Sequence, residues 1–244
     1  MRNQMRTTFI NVVSSKFYFL AFAVMGVFSA MNIIKQILID GTTSTGSEVF
    51  VQTLEDSSLL FALSVFVGCI IGSEFTNRTI DNEVRTGYSR FSVLISRAIV
   101  ILPLSVVPYY LHVAMSTVSV VIVNGFGSSM SAVDMLIRFA VFSLQVMSIQ
   151  GVTLLIMFAC KKPFSGIIIC FAVTLITCNI LRGFWPDDGG IFKYTNYYRI
   201  SMTEQLDINT LSVQDNWISF AVAIIALAST VCVTYIVFRR SELK

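Results

Sequence analysis

Six apolar runs divide this chain, and every other loop between and around them is basic, without exception. The hydrocarbon core of a bilayer is about 30 Å thick and needs roughly 20 helical residues to cross. Runs over 17–39, 57–73, 91–123, 133–159, 163–182 and 217–238 meet or approach that length. In lipid the backbone must satisfy its own hydrogen bonds, so runs of this kind form helices. The second run is short. The third holds Pro103 and Pro108, which predict a kink. Composition agrees: 55% of the 244 residues are hydrophobic and 13% charged, where a soluble domain carries about 25% charged residues.

The loop charges set the orientation. Arg2, Arg6 and Lys16 precede the first run. Residues 40–56 hold Asp40, Glu48, Glu55 and Asp56 with no Lys or Arg. Arg78, Arg85, Arg90 and Arg97 follow the second run, and 124–132 carries no charge. Lys161 and Lys162 make the next turn basic. Residues 183–216 are mostly acidic (Asp187, Asp188, Glu204, Asp207 and Asp215 against Lys193 and Arg199), and Arg239, Arg240 and Lys244 follow the last run. Basic loops stay in the cytoplasm, so both termini are expected there. The aromatic belts match, with Phe17, Tyr18 and Phe19 at the inner end of the first run and Trp185, Tyr194, Tyr197, Tyr198 and Trp217 toward the outer face. No small-residue cleavage pattern follows the first run, so it reads as a retained span. Residues 1–16 place Met1, Met5, Phe9, Ile10, Val12 and Val13 on one half of a helical wheel with Arg2, Arg6 and Lys16, against a polar half of Asn3, Gln4, Thr7, Thr8, Asn11, Ser14 and Ser15. That predicts an interfacial helix with its apolar half in the headgroup layer and its basic residues snorkelling. A solvated tail is the simpler alternative.

Residues 74–90 carry the functional argument. Ile80, Val84 and Tyr88 recur at i, i+4 and i+8. Asp81 and Arg85 have the favourable acid-first i, i+4 order, Arg78 adjoins them, and Gly87 is placed to end a helix. The stripe is expected to dock in a pocket of a soluble partner, with Ile80 and Val84 as anchors. Lying on headgroups is the alternative.

Here the chain resembles the permease subunits of ABC-2 type transporters. In that family the segment reads Glu-(aromatic)-x-x-Gly-Thr-(Ile/Val), then Gly-x-Ser-Arg, then a basic residue in the next helix. Glu74, Phe75, Thr79, Ile80, Gly87, Ser89, Arg90 and Arg97 stand at those positions, and Arg78 stands where the family usually has glycine. The size and style are most similar to small bacterial exporters for peptide and lantibiotic self-protection. The resemblance implies an all-α membrane protein, a single transmembrane domain over 1–244. It would have six transmembrane helices, both termini cytoplasmic, an interfacial helix over 1–16 and a coupling loop over 74–90. An extracellular cap of short re-entrant helices would fill 183–216. It implies that Glu74, Phe75, Arg78, Thr79, Ile80, Asp81, Val84, Arg85, Gly87 and Arg90 form the coupling element. Implied partners are two ABC ATPase subunits, a second permease copy or sister permease, and membrane lipids, with no nucleic acid. ATP and Mg would bind the ATPase, and this chain would hold no cofactor. The expected activity is ATP-driven outward movement of an amphipathic peptide or lipid-like substrate across a bacterial cytoplasmic membrane.

Other motifs carry less. Gly41 to Ser47 has P-loop spacing, but Ser47 stands where the phosphate-binding lysine is required. No ATPase motif is present, and no Cys/His cluster or catalytic residue is assigned. His112 with Tyr109, and Gln145 with Ser148, are intramembrane polar groups. They either line a substrate route or bond helix to helix. A non-transporting sensor or assembly subunit is the rival function, and a polytopic membrane enzyme the third.

Overall fold

The structure, a computed structural model, describes residues 2–38, 45–54, 58–127, 132–162, 164–170, 172–173 and 213–241. These residues are helical with short turns. In chain order the helices are α1 (Arg2–Val13), α2 (Lys16–Leu38), α3 (Gly46–Leu54), α4 (Ser58–Thr76), α5 (Thr79–Arg85), α6 (Arg90–Asn124), α7 (Ala132–Cys160) and α8 (Val213–Arg240), with 164–170 also helical. Stretches of α2, α6, α7 and α8 are long and apolar enough to cross a membrane, and Ala62–Thr76 of α4 is a shorter apolar helix. The chain is therefore a multi-pass membrane protein. Of the expected fifth span, 164–170 and 172–173 are helical, and 174–182 lies outside the described residues. The expected cap lies outside them too, except that Val213 to Asn216 begin α8.

The long helix α6 is the spine. α1, α2, α3 and α7 pack along it, while α4 and α8 pack against α7. The lipid-facing helices are legible from what they leave uncovered. Phe19, Leu20, Val27 and Met31 of α2 and Ile225, Val233 and Ile236 of α8 are exposed apolar side chains. Such a surface is stable only where the surrounding solvent is itself apolar. Prolines 103 and 108 lie inside α6, which stays one helix from Arg90 to Asn124. The last turn of α8 and the whole of α1 lie at the α5 end of the bundle. Arg90 donates to carbonyls of Phe238, Arg239 and Ser241, and Gln4 accepts a hydrogen bond from the Ser92 hydroxyl.

One expectation is corrected. Residues 40–56 read as a plain acidic loop, yet 46–54 form α3, with Val49, Phe50, Val51 and Leu54 buried against the bundle. Its start makes one half of a capping box: the Thr45 N–H donates to the Glu48 carboxylate at 3.0 Å. The Gly46 and Ser47 amides donate to the Gly125 and Phe126 carbonyls at the far end of α6. Its last carbonyls, on Thr53 and Leu54, accept the Tyr109 hydroxyl at 3.1 and 2.8 Å. Tyr109 lies about 18 Å along α6 from Arg97 at 1.5 Å per residue, so α3 enters at the far end and stops deep inside. The P-loop-like stretch thus ends in amides already occupied by carbonyls. In α1 the polar Gln4 and Thr8, with Val12 from the apolar half, are buried against the bundle. Phe9 and Ile10 stay 49% and 52% exposed beside exposed Arg2 and Arg6.

Candidate functional site

The site is the short helix α5 and the buried ion cluster beneath it. α4 ends at Thr76, and the chain turns through Arg78, which adopts φ 54°, ψ 23°. This left-handed conformation is the one glycine enters without steric penalty and an L side chain does not. The Asn82 amide donates to the Arg78 carbonyl and starts α5. The helix ends in a Schellman motif. Gly87, at φ 98°, donates to the Val84 carbonyl and Tyr88 to the Glu83 carbonyl. Ser89 then caps α6, its hydroxyl accepting the Ser92 amide at 3.2 Å. Arg90 places a guanidinium on the carbonyls at the end of α8, at 2.7–2.8 Å, where the helix dipole favours a cation. The Gly-Tyr-Ser-Arg run is therefore a stop, a start and a staple.

Beneath α5 lies Arg97, 1% exposed. Its Nε donates to Glu74 of α4 at 2.9 Å. Its two terminal nitrogens grip both oxygens of Glu83 of α5 at 2.6 and 2.8 Å. Such a two-pronged arginine–carboxylate contact fixes orientation as well as distance. Gln4 of α1 joins from the side, donating to Glu83 at 3.4 Å. One buried cation thus ties α4, α5 and α6 together and reaches α1.

The apolar residues of α5 close the same contact. Ile80 is 0% exposed and packs in a core with Phe75, Val93, Leu94, Phe158 and Phe238. Val84 is half-buried against it. Phe75 meets Phe158 edge to face at 5.3 Å, and Phe158 meets Phe238 at 5.0 Å. This corrects the expected docking stripe: Ile80 and Val84 face the bundle and are not free for a partner. A seven-residue helix needs tertiary burial to persist, and its apolar face supplies it. Asp81 and Arg85 form no ion pair with each other. Asn77, Arg78, Asn82, Arg85, Thr86, Gly87 and Tyr88 are exposed, and Thr79 and Asp81 are partly so.

The intramembrane polar residues are interior. Tyr109, His112, Gln145 and Ser148 are each at most 3% exposed. Tyr109 holds α3, and His112 Nδ1 lies 2.9 Å from the Ser29 hydroxyl of α2. Ser148 donates to the Gln145 carbonyl. The Gln145 amide nitrogen is buried without a hydrogen bond among the described residues. No group of three His, Cys, Asp or Glu side chains able to hold a metal occurs among the described residues.

Sequence reasoning missed Glu83 and Gln4. Glu83 carried a signal, since it sits between Ile80 and Val84 on the side of α5 that must be buried, and Arg97 in an apolar run needs an acid. Gln4 carried none, being one of seven polar residues on its half of α1. No protein-family model matches this chain, and a search of characterised proteins finds no match either.

Proposed function

We propose that this chain is the membrane-spanning permease subunit of an ATP-driven ABC exporter in a bacterial cytoplasmic membrane, with α5 as the coupling helix that meets a separate ATPase. The observation that carries this reading is how α5 is held. A transmitted force needs a stiff connection, and α5 joins the spans through the Arg97 ion cluster and the Ile80 core while turning a polar face away. The local geometry supports the resemblance residue by residue. Position 78, glycine in the family, has a left-handed backbone here. The glycine at 87, the serine at 89 and the arginine at 90 each do a job that their residue type is suited for. Glu74 and Arg97, separate in the motif, are bonded.

Six spans with both termini in the cytoplasm fit a bundle in which α1 and the end of α8 share the α5 end. Two copies, or this chain and a sister, would sit on two ATPase subunits and move an amphipathic peptide or lipid-like substrate outward. In this reading α3 serves the outer side, where the resemblance implied helices only in 183–216.

The test is purification of the tagged full chain from its bacterial host in mild detergent, followed by ATP hydrolysis in lipid. The reading expects an ABC ATPase in equal amount and hydrolysis stimulated by an amphipathic peptide substrate. A chain that purifies without such a subunit, and with no hydrolysis, is a sensor or assembly subunit instead.

A further inference from the structure

Asn82 and Arg85, three apart on α5 and so on one side of it, are exposed, and so is Arg78 at the left-handed N-cap just before the helix. Ile80, Glu83 and Val84 occupy the opposite side and are committed to the bundle. The stripe's charge is not neutralised within α5, because Glu83 is spent on Arg97 and Asp81 pairs with neither arginine. Arg78 adds a second signal. It holds a left-handed backbone at φ 54° while its side chain makes no hydrogen bond or ion pair among the described residues. Strained non-glycine residues persist where function retains them, and none of the described residues uses this guanidinium.

Resting on the reading of α5 as the coupling helix, we propose that the partner ATPase receives it in a groove lined by carboxylates, bound through Arg78, Asn82 and Arg85 rather than through apolar anchors. Guanidinium–carboxylate pairs of this kind supply directional bonds and steer association. Anionic lipid is the competing source of negative charge, and α1 shows what a lipid-facing helix of this chain looks like: exposed Phe9 and Ile10 beside Arg2 and Arg6. Helix α5 has no such apolar face left to immerse.

The experiment places a photo-crosslinking benzoylphenylalanine at Asn82 of the full chain in its host and identifies the crosslinked peptide. The proposal expects a peptide rich in Asp and Glu from a protein with ABC ATPase motifs. Arg78→Glu with Arg85→Glu should cut the co-purified ATPase by about tenfold or more, and lysines replacing the crosslinked acids should restore it. Arg78→Gly, which relaxes the backbone, should fold well and still bind less. Crosslinks to lipid alone, no crosslink, an apolar peptide, or unchanged co-purification would each overturn the acidic groove. An acidic peptide from a protein without ATP-binding motifs would keep the groove and remove the ABC reading.

Discussion

Arg97 is the residue on which the base of this bundle depends. It is buried with two carboxylates, so its removal leaves both without a counter-charge, and breaking a buried pair in this way costs about 3–5 kcal/mol. Arg97→Met is expected to lower the thermal midpoint in detergent by far more than Arg85→Ala, which removes an exposed side chain. Equal midpoints for the two would show that the cluster contributes little. Ile80→Ala should cost about 2–5 kcal/mol, as truncation of a fully buried aliphatic does, and Ile80→Asp should damage folding rather than docking alone. Arg78→Gly goes the other way. It removes a left-handed penalty of about 1–2 kcal/mol and adds glycine's backbone entropy of about 0.5–1 kcal/mol. A net gain in stability of up to about 1.5 kcal/mol, read as a raised denaturation midpoint, is expected, and a clear loss would mean that the turn relaxes or that the arginine bonds elsewhere. The sequence made Gly87, Ser89 and Arg90 visible as punctuation. It could not say that Arg90 reaches the end of α8, because a partner 148 residues away leaves no local pattern.

At the scale of elements, the long spans were the legible part. α6 and α7 begin and end within a residue of the runs 91–123 and 133–159, because a long apolar run in lipid has no alternative to a helix. The helix α3 was hidden, since its four acids-bearing neighbourhood reads as a loop when charge is averaged over 40–56. The capping box at Thr45 and Glu48 and the apolar spacing of Val49, Phe50 and Leu54 were the available signals. The direction of an amphipathic face was the other failure. Helix α5 read as apolar side outward to a partner, yet it spends that side on the bundle, while α1 keeps Phe9 and Ile10 exposed and turns Gln4 and Thr8 inward. A wheel gives two faces and not their partners. The hold on α3 is testable. Tyr109→Phe removes a hydroxyl that donates to the Thr53 and Leu54 carbonyls, a loss of about 0.5–1.5 kcal/mol. A cysteine replacing buried Val51 should then react faster with a thiol reagent than it does beside Tyr109. An unchanged rate would show that packing alone seats α3.

For the whole molecule, the account rests on α5 facing the cytoplasm while the start of α3 faces out. The two lie at opposite ends of α6: the α5 cluster meets Arg97, and Gly46 packs so closely on the other end that an added Cβ would collide with the Val121 side chain. Charge alternation assigns the sides, and the geometry makes the two positions report on the same spine. The direct measurement uses single cysteines replacing exposed Glu48 and exposed Asn82 in a cysteine-free chain, treated with a membrane-impermeant thiol reagent in intact cells. The account expects labelling at Glu48 at once and at Asn82 only after the cells are permeabilised. Labelling of Asn82 in intact cells would contradict it, because a helix outside the cell cannot meet an ATPase within.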